Sequence, residues 1–132
     1  MQQFTYTQRL RGRLTAVGPG LLDVELVSLA ATPLAPAVRV ASQLWFADER
    51  TFREEGTLDA GDRGALRIRT LGRGILTPGP TPGIRHGTAV LAVEGSGRLE
   101  GASGRITSNF LVADDGEVTD EQVVVLFMDE EV

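Results

Sequence analysis

The sequence VLAVEGSGRLEGASGRITSNFLV, from Val90 to Val112, predicts two β-strands joined by a tight glycine-rich connection. Four of the ten residues from 95 to 104 are glycine, which adopts positive φ without a steric penalty and lets another backbone come close. Residues on both sides of the glycines follow the two-residue period of a strand, in which successive side chains point to opposite faces. The stretch therefore predicts the corner of a small antiparallel barrel.

The other strands repeat this pattern at even spacing. Period-two alternation and bounding turns predict strands over residues 4–14, 21–29, 38–46, 51–58, 65–75 and 118–129. The last strand carries a continuous apolar run that indicates burial on both faces, followed by an acidic tail at Glu130 and Glu131. We predict one all-β domain over residues 1–132, a single closed antiparallel barrel of eight to nine strands with little or no helix and room for one small ligand.

The composition excludes several classes of function. All 13 basic residues are arginine, so the chain has no lysine for a Schiff base, a pyridoxal phosphate or a P-loop. It has no cysteine, and its single histidine excludes a multi-histidine metal site within one chain. A net charge of −5 argues against nucleic acid as a partner. We therefore expect no metal, no organic cofactor and no bound nucleic acid.

The sequence also bears on location. Its N-terminus lacks the basic start and apolar core of a signal peptide, and no apolar run approaches the ~20 residues needed to cross a bilayer. Three arginines alternate along the first strand, at Arg9, Arg11 and Arg13, as on a solvated strand face. We expect a cytoplasmic protein that makes no contact with a membrane.

Residues 95–104, GSGRLEGASG, resemble the glycine motif G-T-G-x-F-x-G-A-x-G of the allene oxide cyclase and dirigent-like barrel superfamily, with Ser96 in place of the threonine and Leu99 in place of the aromatic residue. Residues 104–110 and 116–120 resemble the closing part of small bacterial barrels of this type. The resemblance covers the last third to half of the chain. It implies a calycin-like eight-stranded barrel that forms homo-oligomers, dimers or trimers, with an apolar axial pocket. No catalytic residue is carried across, because the family's functional side chains lie outside the matching stretch.

The candidate catalytic groups are His86, Glu54 and Glu55. His86 follows a proline-rich loop, beside Arg85, where we expect the mouth of the barrel; histidine can donate or accept a proton near neutral pH, although an exposed pair at a strand start is the simpler interpretation. Glu54 and Glu55 are neighbours in a strand, so at most one of them enters the lumen. An inward carboxylate is partly desolvated and can act as a general base.

Four residues are candidate ligand contacts, namely Tyr6, Trp45, Arg85 and Asn109. Tyr6 and Trp45 are amphipathic aromatic residues suited to a pocket wall, and core packing is the default interpretation for both. Asn109 and Ser108 lie on opposite faces of one strand, and either can offer a hydrogen bond to a ligand.

These observations leave three functions open. The first is a cofactor-independent cyclase or isomerase that acts on an apolar or amphipathic small molecule by shaping it in the lumen. The second is a non-catalytic carrier or sensor with the same pocket. The third is a structural, oligomeric barrel whose lumen is filled with side chains. Whether the protein is an enzyme stays open at this point.

Overall fold

The computed structural model describes residues 1–129, and the tail predicted at Glu130 and Glu131 lies outside them. Nine strands and two single turns of 3-10 helix, Gly61–Arg63 and Gly97–Leu99, form the described chain. The all-β prediction is confirmed. The strands are β1 (Gln2–Gly18), β2 (Leu21–Ser28), β3 (Arg39–Phe46), β4 (Thr51–Asp59), β5 (Ala65–Thr70), β6 (Gly74–Pro78), β7 (Ile84–Ser96), β8 (Ser103–Ala113) and β9 (Glu117–Met128).

Eight of these strands close into an antiparallel barrel. The ring runs β1-β2-β3-β4-β5-β7-β8-β9, and β9 pairs back onto β1. The remaining strand, β6, pairs with the ends of β4 and β7 beyond β5 and is not a member of the ring. The predicted closed barrel is confirmed, whereas the single strand predicted over 65–75 is wrong. The chain breaks there into β5 and β6 at residues 71–73, where Gly72 takes a φ of 68°.

The glycine-rich stretch forms the predicted pair of strands. β7 and β8 pair antiparallel and are joined by the 3-10 turn Gly97–Leu99. A Cβ at Gly95 would overlap the carbonyl of Leu99, and one at Gly104 would overlap the carbonyl of Val125. Glycine at these two positions therefore lets the connection fold back onto the barrel.

The prediction that β9 is buried on both faces is wrong. Val124 and Leu126 are fully buried, but Val123 and Phe127 on the opposite face are 43% and 40% exposed. A closed ring has a single enclosed face, so every second residue of a strand points to its outside. The apolar run of β9 therefore supplies both the core and part of the outer surface.

The two ends of the barrel differ. The lower end carries the connections at residues 29–38, 60–64 and 97–102, and the side chains of Leu34, Val38 and Leu99 are buried there. The opposite, upper end carries the proline-rich loop 79–83 and is open. Within residues 1–129 no helix has the length and apolar character needed to cross a membrane.

Candidate functional site

A cavity of about 1260 Å³ opens at the upper end and is called here the mouth cavity. The alternation of the strands turns large apolar side chains into it, and the loop 79–83 borders it. Arg50 and Arg85 lie at its rim, together with acidic groups. Its apolar wall includes Leu22, Leu44, Phe46, Leu76 and Phe110. Large apolar walls with a few polar groups at the entrance are typical of sites for small amphipathic molecules.

Three phenylalanine rings pack together where the mouth cavity narrows. The ring centroids of Phe46 and Phe52 are 5.4 Å apart, and those of Phe52 and Phe110 are 5.9 Å apart. The Phe110 ring lies against the backbone of Gly87, where any Cβ would overlap it. Phe52 lies against Gly74 in the same way. The rings pack against one another and against these glycines, so the floor of the mouth cavity is an aromatic layer.

Below this floor a cavity of about 20 Å³ separates Glu54 from Asp120, and we call these two residues the acid pair. Glu54 comes from β4 and Asp120 from β9, which lie four strands apart on opposite sides of the ring. The space is large enough for one water molecule. Leu14, Leu44 and Phe110 line both this small cavity and the mouth cavity, and so form the partition between them.

Glu54 is held by short bonds. The Ser42 hydroxyl donates to Glu54 Oε2 at 2.6 Å, and the Glu54 backbone N–H donates to Thr70 Oγ1 at 3.2 Å. The residue is only 7% exposed. Burial raises the pKa of Glu54 to about 7; the Ser42 bond opposes this shift and the charge of Asp120 adds to it. At neutral pH the carboxyl group is therefore partly protonated, which suits a group that donates or accepts protons.

Asp120 is held by a larger polar network. The Ser108 hydroxyl donates to both carboxylate oxygens, at 2.8 and 2.9 Å, and Gln122 Nε2 donates at 3.0 Å. Gln8 Nε2 in turn donates to Gln122 Oε1 at 2.7 Å. Burial raises the pKa of Asp120 to about 6, against the opposing effect of the Ser108 and Gln122 bonds. Aspartate has the lower ordinary pKa and Asp120 also has more donors than Glu54, so Asp120 ionises first as the pH rises.

The candidate residues at 54, 55, 85 and 86 separate into two groups. Glu54 points into the lumen and Glu55 is exposed on the outside, which confirms that at most one of the two glutamates enters. Arg85 lines the mouth cavity, as expected for a residue after the proline-rich loop. His86, its neighbour, lies on the outer face of β7, opposite the buried Gly87 and Ala89. The structure thus places Arg85 at the mouth cavity and Glu54 in the small cavity beneath it, and it brings neither Glu55 nor His86 to either place.

The candidates at 6, 45 and 109 lie in three different places. Tyr6 points inward near the lower end, where burial raises its pKa to about 12 and its hydroxyl has no hydrogen-bond partner within residues 1–129. Trp45 is 41% exposed on the outer face of β3, so its assignment to the core is wrong. Asn109 is exposed outside, whereas Ser108 turns inward to Asp120. None of the three lines the mouth cavity.

Sequence reasoning missed Asp120 and its donor Gln122, and it named the other donor, Ser108, only as a hydrogen-bonding group for a ligand. The sequence of β9 did contain a signal for Asp120. Asp120 and Gln122 lie on the same face of the strand as Val118 and Val124, and that face is otherwise apolar. A carboxylate that falls at the two-residue spacing of core residues is predicted to point into the barrel. Within the described part of the chain, no group of three or more histidine and acidic side chains is placed to hold a metal ion.

The barrel, its open mouth and its acid pair define the class of protein: a closed eight-stranded antiparallel barrel with a cavity at one end. No protein-family model matches the chain, and neither a curated protein nor a solved structure matches it. The resemblance to the allene oxide cyclase and dirigent-like group therefore stays a prediction, as do the oligomeric and cytoplasmic states.

Proposed function

We propose that the protein binds an amphipathic small molecule in the mouth cavity. The observation that carries this proposal is the cavity of about 1260 Å³, whose wall is apolar and whose rim bears Arg50 and Arg85 beside the acidic Asp48, Glu49 and Asp114. The apolar body of the ligand rests on Leu44 and Phe110, and its polar end meets the two guanidinium groups. An open upper end favours this function over a barrel filled throughout with side chains.

The binding test uses the fluorescence of anilinonaphthalene sulfonate, which joins an apolar body to an anionic group. Wild-type protein is expected to enhance its emission saturably. Leu22→Glu, which places a charge in the wall, abolishes the enhancement, whereas Val27→Glu on the exposed face of the same strand leaves it unchanged. Equal enhancement by both variants would show that the probe binds elsewhere and would overturn the proposal.

A second function, proton-transfer catalysis of the cyclase or isomerase kind, is favoured by one observation. Glu54, whose pKa is about 7, lies directly beneath the partition that closes the mouth cavity. A substrate reaches its carboxyl group when the Phe110 ring turns aside, and the carboxyl group then moves a proton between two positions of the substrate.

The test for catalysis screens unsaturated and carbonyl compounds for uptake of deuterium from heavy water. Wild-type protein is expected to label a substrate, and Glu54→Gln to abolish labelling while probe binding at the mouth persists. Glu55→Gln on the outside is the matched control. Labelling that survives in Glu54→Gln would remove Glu54 from the mechanism. If no compound is labelled, the proposal of catalysis fails and only the proposed binding function is left.

A further inference from the structure

The outer wall of the barrel has a second concavity, of about 1020 Å³, which we call the outer groove. It spans the outer faces of β3, β4, β5 and β7 and ends at residues 100–103. Because side chains alternate, it lies on the other side of the sheet from the lumen and is separate from the mouth cavity. Its polar and aromatic lining includes Gln43, Trp45, Glu55, Arg67, Arg69, Glu94 and Glu100.

The charged side chains of the outer groove are close in register yet unpaired. Glu55 is the cross-strand partner of Arg69, and Arg67 is the partner of Glu94. Such partners have Cβ atoms about 5 Å apart. Nevertheless, none of these four side chains forms a hydrogen bond or an ion pair with another residue of the described chain, where the one salt bridge joins Arg9 to Glu121. Their donors and acceptors are therefore open to a ligand.

Trp45 gives the outer groove an apolar surface. It is the single tryptophan of the chain, and 41% of it is exposed. Its ring stacks on no other aromatic residue within residues 1–129. An indole ring offers a flat apolar face together with an N–H donor, so it suits ligands that are apolar on one side and polar at their edges.

We propose that the outer groove is a binding site for a neutral oligosaccharide. One face of a pyranose ring consists of C–H groups, which stack on the Trp45 ring. Each hydroxyl both donates and accepts, and it therefore requires arginine donors beside carboxylate acceptors, as the alternation of Glu55, Arg69, Arg67 and Glu94 provides. Two arginines against three glutamates leave a negative surplus, which disfavours phosphates and other polyanions.

The first test uses the emission of Trp45, which is the only tryptophan and so reports this groove alone. Cello-, malto-, xylo- and chito-tetraose are titrated in turn. At least one is expected to change the emission saturably and to protect Trp45 from quenching by acrylamide. If none does, or if only acidic polysaccharides or protein partners bind at this groove, the proposal is wrong.

The second test measures the affinity of that oligosaccharide by calorimetry in variants. Arg69→Ala and Glu55→Gln are each expected to weaken binding by about tenfold, since each removes hydrogen bonds to a charged group. Trp45→Ala is expected to abolish it. Arg11→Ala, on the exposed face of β1 across the barrel, is the control and leaves the affinity unchanged. Because Arg69 and Glu55 are exposed, their variants keep the fold, and unchanged affinity in both would overturn the proposal.

Discussion

Replacing Glu54 with glutamine is expected to remove about 3 kcal/mol of the fall in stability that the wild-type protein shows between about pH 4.5 and pH 7. Burial raises the pKa of Glu54 from 4.5 to about 7 in the folded chain. Between these values the folded state holds a proton that the unfolded state has lost, so the free energy of unfolding decreases as the pH rises. Below pH 4.5 both states are protonated and the effect disappears.

The magnitude follows from the size of the shift. At about 1.4 kcal/mol for each pH unit, the rise of the Glu54 pKa corresponds to about 3 kcal/mol of stability lost by pH 8. Asp120, whose pKa rises from 3.8 to about 6, contributes a similar loss over a lower range. Glutamine keeps the carbonyl that accepts from Ser42 and carries no charge. Glu54→Gln therefore gains about 3 kcal/mol over wild type between pH 4 and pH 8.

The assay is urea denaturation followed by far-ultraviolet circular dichroism at one-unit steps from pH 4 to pH 8. The quantity compared is the difference in free energy of unfolding between variant and wild type. Glu55→Gln, one residue along the strand and exposed, is the control, and its difference stays flat. A flat difference for Glu54→Gln as well would refute the argument, because Glu54 would then ionise as easily in the folded state as in the unfolded chain.

Three changes to the packing of the barrel have outcomes that the structure also fixes. Tyr6→Phe removes a buried hydroxyl without a partner in the described chain, so the melting temperature is unchanged or rises with a gain of about 1 kcal/mol; a clear loss would mean that the hydroxyl is bonded. Gly87→Ala pushes a methyl group into the Phe110 ring and costs about 1 to 3 kcal/mol in urea denaturation. Gly18→Ala, whose methyl group would make only an ordinary contact with Leu21 at 3.9 Å, stays within about 0.5 kcal/mol. Leu34→Ala leaves a cavity at the lower end and costs about 2 to 5 kcal/mol by the same measurement, and a cost below this range would show that the end can collapse.

The barrel was predictable because the sequence features that specify its strands are local. Period-two alternation and glycine turns specify strands one at a time, and their even spacing favours a closed ring. The break between β5 and β6 was not predictable in this way, since residues 71–73 carry no proline and only one glycine. The outer face of β9 misled the prediction for a different reason. An apolar run shows that the side chains of a strand are hydrophobic. It does not show whether the fold buries one face of that strand or both.

The position of a candidate site residue was predictable only where its neighbours in the sequence determine which face of the strand it lies on. Glu54 and Glu55 had to point to opposite faces, and that rule was correct. The choice between the faces depends on the register of β4 against β3 and β5, which is a long-range property. The same register placed Trp45 outside and joined it with Glu55, so two residues predicted for a lumen site lie together in the outer groove. The acid pair joins strands that are distant in sequence and opposite in the ring, and no local pattern pairs them.

The acid pair lowers the stability of the barrel at neutral pH, although a glutamine at 54 would still accept from Ser42 and an asparagine at 120 would still accept from Ser108. Packing alone therefore gives no reason for two carboxyl groups across a cavity the size of one water molecule. Their position supplies one, because the partition of Leu44 and Phe110 is shared with the mouth cavity. A ligand bound in the mouth cavity, as proposed above, would rest on this partition, exclude water from above Glu54 and further disfavour its charged form. By linkage, a proton on Glu54 would then favour the ligand by the same factor as the ligand favours the proton, so that occupancy of the mouth cavity would be coupled to pH.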